Sequence, residues 1–119
     1  MIGTMVMTMN KKDAQTKRNT TWRKYHTPGC GNYMTRKQNA IFISTSNGKP
    51  HEMKKMDVCY DLRKQNHYFI TEAVSNKDDR RIDIVDLDTG QEIEIVDTCI
   101  TKMTQNAIDK GTDILVINV

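Results

Sequence analysis

The chain has 119 residues, of which 37% are hydrophobic and 6% aromatic, and these values predict one domain with a modest core and at most an appended arm. No membrane partner is expected, because no stretch approaches the roughly 18 continuous apolar residues of a bilayer span, and the mildly apolar start lacks the basic leader of a signal peptide. The three cysteines are odd in number and widely spaced, which argues against a secreted disulfide scaffold and favours an intracellular, cytoplasmic location.

The net charge is +3, but charge is distributed unevenly along the chain. Residues 1–50 hold nine Lys/Arg against one acid, whereas residues 51–119 hold nine Lys/Arg against fourteen Asp/Glu. We therefore divide the chain into a basic N-terminal extension, residues 1–50, and a folded core, residues 51–119. Such a division suggests a polyanion-binding arm joined to a domain that holds cations. A solvated, disordered tail is the alternative for the first 20 residues.

Within the extension, residues 10–21 lack apolar periodicity and are expected to form a flexible arm or a frayed helix. Residues 22–38 mix rings with cations around a Pro-Gly turn. A short apolar run at residues 40–45 predicts a strand, and Pro50 suits the first position of a following helix.

The mixture at residues 22–38 is typical of nucleic-acid binding, because cations contact phosphates while flat rings stack on unpaired bases. The alternative is that the rings pack on the domain while the charges stay hydrated. The candidate phosphate contacts in this segment are Arg23, Lys24, Arg36 and Lys37, and the interleaved rings are Trp22, Tyr25, His26 and Tyr33.

From residue 51 onward the patterns predict helix, strand, strand, strand, helix, strand. The first helix covers residues 51–64 and ends at Gln65-Asn66, because Asn tolerates the left-handed cap conformation. Its apolar face is predicted to consist of Met53, Met56, Cys59 and Tyr60, with charges opposite. The remaining elements are predicted at residues 67–74, 80–87 and 91–97 (strands), 102–110 (helix) and 113–119 (strand).

The second and third of these strands flank a hairpin turn at Asp88-Thr-Gly90. They place Asp83 and Glu94 where both carboxylates can face one side of the sheet, with the neighbouring isoleucines on the other. Two carboxylates that project together repel unless a cation lies between them, and oxygen ligands suit Mg²⁺ or Mn²⁺. Such an ion activates water and neutralises charge on a phosphate. The alternative is a hydrated face of ordinary surface acids, the type to which we assign Asp86, Asp88 and Glu92.

The element order, together with Arg81-Ile-Asp83 and Ile93-Glu94-Ile95, resembles the restriction-endonuclease-like PD-(D/E)XK superfamily, especially its small archaeal and viral members such as the Holliday junction resolvases. The resemblance covers residues 51–119. It implies an α/β (α+β) restriction-endonuclease-like core with a mixed sheet flanked by helices, and a metal-dependent nuclease that acts on DNA, commonly as a homodimer. Asp83 and Glu94 match the two acids that hold Mg²⁺ in that family.

Val96 stands where the family has the Lys that positions or activates the attacking water. Some members supply this cation from another element, so Lys102 on the second predicted helix is the first candidate and Lys55 on the first helix is the second. Other members keep only the fold, so a catalytically inactive nucleic-acid-binding protein is the alternative function. A small interaction protein without a nucleic-acid partner is a third possibility.

Four further residues are candidates for the same site. Glu72 at the end of the first strand can add a third metal ligand, or it is an exposed strand-end acid. Glu52 lies in the first turn of a helix, where the family often has an acid, but where the helix dipole also favours one. Arg80 and Arg81 can hold a phosphate, or they balance the two acids before them.

Overall fold

The computed structural model of the chain describes residues 10–27 and 37–119, and the predicted phosphate contact Arg36 lies outside them. The described residues form an α+β fold in which three α-helices accompany one five-stranded mixed sheet. The helices and strands, in chain order, are α1 (Lys11–Trp22), β1 (Tyr25–His26), α2 (Lys49–Lys64), β2 (Phe69–Ser75), β3 (Arg81–Asp86), β4 (Glu92–Val96), α3 (Lys102–Asp109) and β5 (Ile114–Asn118).

The strands lie in the sheet in chain order, β1-β2-β3-β4-β5. The first four pair antiparallel, and β5 pairs parallel with β4 after a crossover that contains α3. The order predicted from residue 51 onward is therefore confirmed. Two turn residues explain why the elements end where they do. Asn66 follows α2 with a φ of 63°, and Gly90 turns the β3–β4 hairpin with a φ of 81°.

None of the helices within residues 10–27 and 37–119 has the length and apolar character needed to cross a membrane.

The strand predicted at residues 40–45 is wrong, because this segment contains no regular strand and ends in a 3₁₀ turn over Thr45–Asn47. Its backbone bonds to side chains instead of to a neighbouring strand. The Thr71 hydroxyl accepts from Phe42 N at 3.1 Å and donates to Ala40 O at 3.0 Å, and Glu52 Oε1 accepts from Ser44 N at 2.7 Å. The segment therefore lies along the sheet without joining it.

The predicted apolar face of α2 is wrong for three of its four residues, and only Cys59 is buried as predicted. Met53, Met56 and Tyr60 are 56%, 57% and 64% exposed. The face that packs on the sheet consists of Glu52, Lys55, Cys59 and Leu62. Charged residues can occupy a buried face when each has an oppositely charged partner, and both charged residues of this face have one.

The segment before residue 28 is attached to the sheet. Tyr25 lies on β1 opposite Ser75 of β2 and is only 7% exposed. Its hydroxyl donates to Glu92 Oε2 at 2.8 Å. On α1, Arg18 Nη2 lies 3.0 Å from Asp88 Oδ1, and its guanidinium stacks 4.0 Å from the centroid of the Tyr68 ring. Of the two conformations expected for residues 10–21, the structure has the helix.

Candidate functional site

Three carboxylates occupy one row across three neighbouring strands. Glu72 and Asp83 lie between the strand pairs Thr71–Ile84 and Ala73–Ile82 of β2 and β3, and Asp83 and Glu94 lie directly next to the pair Ile84–Ile93 of β3 and β4. All three residues line one cavity of about 510 Å³. The structure thus brings together the three acids that the sequence singled out.

The sheet is irregular at this row. Glu72 has a φ of 50°, a left-handed conformation that costs an L-residue free energy. On β3, Ile82 packs in the apolar cluster around Tyr25, whereas Ile84 packs in the cluster under α2. Regular alternation would put both isoleucines on one face, so the expectation that they share a face is wrong. The break in alternation falls at Asp83.

Asp83 and Glu94 each accept a hydrogen bond from the backbone of the opposite strand. Asp83 N donates to Glu94 Oε1 at 3.3 Å, and Ile95 N donates to Asp83 Oδ2 at 2.8 Å. Side-chain oxygens thus take the place of backbone acceptors at this point of the β3–β4 pair. The two carboxylates are held in place by the sheet itself.

The proximity of these acids changes the protonation of one of them. Burial and then the negative charge of Asp83 raise the pKa of Glu94 from 4.5 to about 8. At neutral pH the Glu94 carboxyl is therefore mostly protonated. A cation placed beside it would favour its charged form.

The first turn of α2 connects the acids in a continuous polar chain. His51 Nε2 lies 3.3 Å from Asp83 Oδ2, and His51 Nδ1 lies 2.5 Å from Glu52 Oε2. Lys55 Nζ lies 2.8 Å from Glu52 Oε1 and 3.4 Å from Glu72 Oε1. The chain therefore runs from Asp83 through His51, Glu52 and Lys55 to Glu72, and acidic and basic groups alternate along it.

Lys55 is the centre of this chain. Its side chain is fully buried, and its Nζ also donates to Phe42 O at 2.9 Å. Burial alone would raise the pKa of Glu52, but hydrogen bonds from Lys55, the Ser44 backbone and His51 lower it to about 2. An ammonium has three N–H donors, and Lys55 has an acceptor for each of them. Glu52 is thus an ionised, buried acid and is not a solvated helix-start residue.

The other lysine candidate is elsewhere. Lys102 is exposed at the first position of α3 and is not among the residues that line the cavity, although its neighbours Thr101 and Met103 are. Val96 is partly buried near the end of β4. Of the two lysines considered as substitutes for the missing motif Lys, only Lys55 contacts acids of the candidate site.

Arg80 and Arg81 both line the cavity, in different settings. Arg81 is exposed. Arg80 is 4% exposed, with Nε bonded to Asp78 Oδ2 at 2.9 Å and Nη2 2.8 Å from Glu92 Oε1. The local balance with Asp78 that we considered is therefore present for Arg80.

The assignment of Asp86, Asp88 and Glu92 as surface acids is wrong for two of them. Asp86 and Glu92 are buried, and Asp88, although less buried, forms an ion pair with Arg18. Asp86 Oδ1 caps the hairpin by accepting from Asp88 N at 2.9 Å. Each acid has specific donors, so these carboxylates contribute to the structure and are not generic surface charge.

The remaining predicted phosphate contacts lie away from the carboxylates. Arg23 and Lys24 are exposed just after α1 and line a second cavity. Lys37 is exposed and is not among the residues that line either cavity.

Within the described part of the chain, no group of three or more His, Cys, Asp or Glu residues is arranged to hold a metal ion. The row therefore offers a pair of protein ligands and not a complete cage. Asp83 and Glu94 are two hard oxygen donors, and Mg²⁺ is commonly held by one or two carboxylates with water completing its shell. The donor chemistry of this pair suits a hard divalent cation, which Glu94 would bind only after losing its proton.

Searches of protein-family models, of curated proteins and of solved structures found no match for the chain.

Proposed function

We propose that the chain is a metal-dependent nuclease that hydrolyses phosphodiester bonds in DNA on a restriction-endonuclease-like core. The observation that carries the proposal is the row of Glu72, Asp83 and Glu94 on three adjacent strands. The topology supports it as well, because a helix, three antiparallel strands, a crossover helix and a parallel strand are what the resemblance implies for residues 51–119.

In this proposal Asp83 and Glu94 hold Mg²⁺ or Mn²⁺. The bound ion would supply charge neutralisation on the phosphate and a water of lowered pKa. Arg81, exposed on the wall of the same cavity, binds a phosphate of the substrate.

Residues of α2 position the acids. His51 has carboxylates at both ring nitrogens, so the imidazolium form can donate to Asp83 and Glu52 together and fix the orientation of Asp83. Lys55 holds Glu72 and Glu52. Because Lys55 is buried and fully bonded, we propose it as a positioning residue and not as the group that contacts the attacking water. Lys102 has no contact of this kind.

Basic residues of the N-terminal extension supply affinity for the DNA backbone, a contribution that weakens as salt rises. The small nucleases that the chain resembles usually act as homodimers, and we propose a homodimer here on that basis. Sedimentation at several protein concentrations would measure it, and a mass that stays at one chain throughout would contradict it.

The experiment that tests the nuclease compares wild type, Asp83→Asn and Asp97→Asn on linear, branched and single-stranded DNA with Mg²⁺ or Mn²⁺. Asp97 is exposed just after β4, so it is a matched control for the loss of one carboxylate. Cleavage should disappear in Asp83→Asn and persist in Asp97→Asn. Mn²⁺ should raise the melting temperature of wild type and of Asp97→Asn but not of Asp83→Asn, because a ligand stabilises only the state that binds it.

A catalytically inactive nucleic-acid-binding protein is the second candidate, and two observations favour it. Val96 replaces the motif Lys, and every donor of Lys55 is already bonded within the protein. This function would be indicated if wild type binds DNA but cuts it no faster than Asp83→Asn does.

A further inference from the structure

A second cavity, of about 530 Å³, lies between the end of α1 and the turn that joins β2 to β3. It shares Arg80 with the cavity of the carboxylate row but contains none of the three acids of that row. Among the described residues that line it, the one acid is Glu92, which lies beside Arg80 and the Tyr25 hydroxyl. The cations that line it are Arg23, Lys24, Lys77 and Arg80.

Hydrogen bonds between two parts of the chain bring these cations together. Asn76 N donates to Lys24 O at 3.0 Å, and Asn76 Nδ2 donates to Arg23 O at 2.9 Å. The β2–β3 turn is thereby fastened to the residues that follow α1. As a result, Arg23 and Lys24 lie around the same recess as Lys77 and Arg80, from a distant part of the sequence. Arg80 is paired with Asp78 and Glu92, whereas no acidic partner lines the recess for the other three cations among the described residues.

Arg80 provides an independent indication of a ligand. Its side chain is 4% exposed, yet its Nη1 is buried without a hydrogen-bond partner among the described residues. Its Nε and Nη2 are engaged by Asp78 and Glu92, so the unpaired nitrogen belongs to a guanidinium whose orientation is already fixed. A buried donor without a partner is costly, and since Arg80 lines this cavity, an acceptor that reached its Nη1 from there would remove this cost.

We propose that this cavity is a phosphate-binding subsite that holds one phosphate of a nucleic-acid strand. A phosphate offers several strong acceptor oxygens, which suit an arginine with a free N–H and a ring of further cations. The hydroxyl of Thr112, which also lines the cavity, adds a neutral hydrogen-bonding group. The assignment of this phosphate to a nucleic-acid strand rests on the proposed function. The preference of the cavity for a phosphate group does not.

The test is binding in EDTA, where no cleavage can occur, of short single strands labelled at the 3′ end and carrying either a 5′-phosphate or a 5′-hydroxyl. Lys24→Gln/Lys77→Gln removes two exposed cations of the cavity. Lys64→Gln/Lys110→Gln removes two exposed cations that lie outside the basic extension and do not line the cavity, and it is the matched control. Arg80→Lys keeps the charge but removes the guanidinium.

The cavity variant should bind strands about tenfold or more weakly, as expected for lost hydrogen bonds to a charged group. Its slope of log K against log salt should fall by about 0.7, the contribution of one single-strand phosphate contact. The control should keep both values, and Arg80→Lys should resemble the cavity variant. A loss seen only with the 5′-phosphorylated strand would assign a terminal phosphate, and an equal loss with both strands would assign an internal one.

Equal weakening in the cavity variant and the control would overturn the subsite, because the effect would then be general charge. If wild type binds no strand, the same variants are titrated with inorganic phosphate and followed by the backbone amide signals of Asn76 and Lys77. Saturable shifts in wild type that the cavity variant lacks would uphold the subsite while refuting the nuclease. No shifts would overturn the subsite.

Discussion

Asp83 and Glu94 lie opposite each other on β3 and β4, and each carboxylate accepts a hydrogen bond from the other residue's strand, at 2.8 Å from Ile95 N and at 3.3 Å from Asp83 N. This arrangement keeps two acids close together, and one of them, Glu94, is mostly protonated at neutral pH. It also means that neither side chain can be changed without an effect on the pairing of the two strands. Substitutions at these acids and at their partners separate the electrostatic contribution from the structural one.

Glu94 should make the free energy of unfolding depend on pH. Its folded-state pKa, about 8, is above the ordinary value of 4.5, so the folded state binds the proton more tightly. This contribution is fully present below about pH 4.5 and is lost as the pH rises through 8. Urea unfolding of wild type and Glu94→Gln across this range should show a decline in wild type that the variant lacks. Each unit by which the pKa is raised contributes at most about 1.4 kcal/mol to the free energy of unfolding. Screening by solvent at this partly exposed group reduces that contribution. A pH-independent difference between the two would contradict the prediction.

Lys55→Met should destabilise the fold strongly. Removing one member of a buried ion pair leaves uncompensated charge, here Glu52 and Glu72, and such changes cost about 3 to 5 kcal/mol. Chemical denaturation measures this loss directly. Lys102→Met is the control, since exposed lysines change stability by no more than about 0.5 kcal/mol.

The same pair of lysine variants distinguishes their roles in cleavage. If Lys102→Met abolished DNA hydrolysis while leaving the metal-induced rise in melting temperature unchanged, then Lys102 would be the substitute for the motif Lys, and our assignment of positioning to α2 would be incorrect.

Glu72→Gly should be more stable than Glu72→Ala by about 1 kcal/mol. Both variants remove the carboxylate that contacts Lys55, and they differ only in how well they tolerate a φ of 50°. A left-handed conformation costs Ala roughly 1–2 kcal/mol of stability. Gly avoids this cost but loses more conformational freedom on folding, so its net advantage over Ala is smaller. At Glu94, which lacks a positive φ, the order should reverse, with Ala more stable than Gly. The same order at both positions would contradict the strain at Glu72.

Tyr25→Phe should lower stability by about 1 to 3 kcal/mol, because it leaves Glu92 Oε2 buried without its donor. Tyr60→Phe, at an exposed site on α2, should have almost no effect. Thermal unfolding compares the two. If Tyr25→Phe unfolds at the same temperature as wild type, the segment before residue 28 contributes little to the stability of the folded domain.

The opposition of Asp83 and Glu94 could be predicted because it depends on local information. A turn at Gly90 fixes the register of the two strands that it joins, and a fixed register decides which side chains face each other. The place of Glu72 in the same row depends on the longer connection between β2 and β3, in which Asp79 has a φ of 59°. No simple turn pattern specifies the register across that connection.

The inward face of α2 could not be predicted from hydrophobicity, because burial there follows from pairing of charges. Methionines at helical spacing indicated one face, whereas Glu52 and Lys55 occupy the other, with partners on β2 and on the segment that precedes α2. The spacing of Glu52 and Lys55 by three residues was a usable signal of an ion pair. It carried no information on whether that pair would be solvated or enclosed.

Arg80 lines both cavities, so the two recesses are coupled electrostatically through one guanidinium. If the proposed anion binds at this guanidinium, it offsets the positive charge there, and a cation at the proposed site of Asp83 and Glu94 is then held more strongly. By thermodynamic reciprocity, that cation would favour the anion to the same degree. The two proposed sites would therefore reinforce each other.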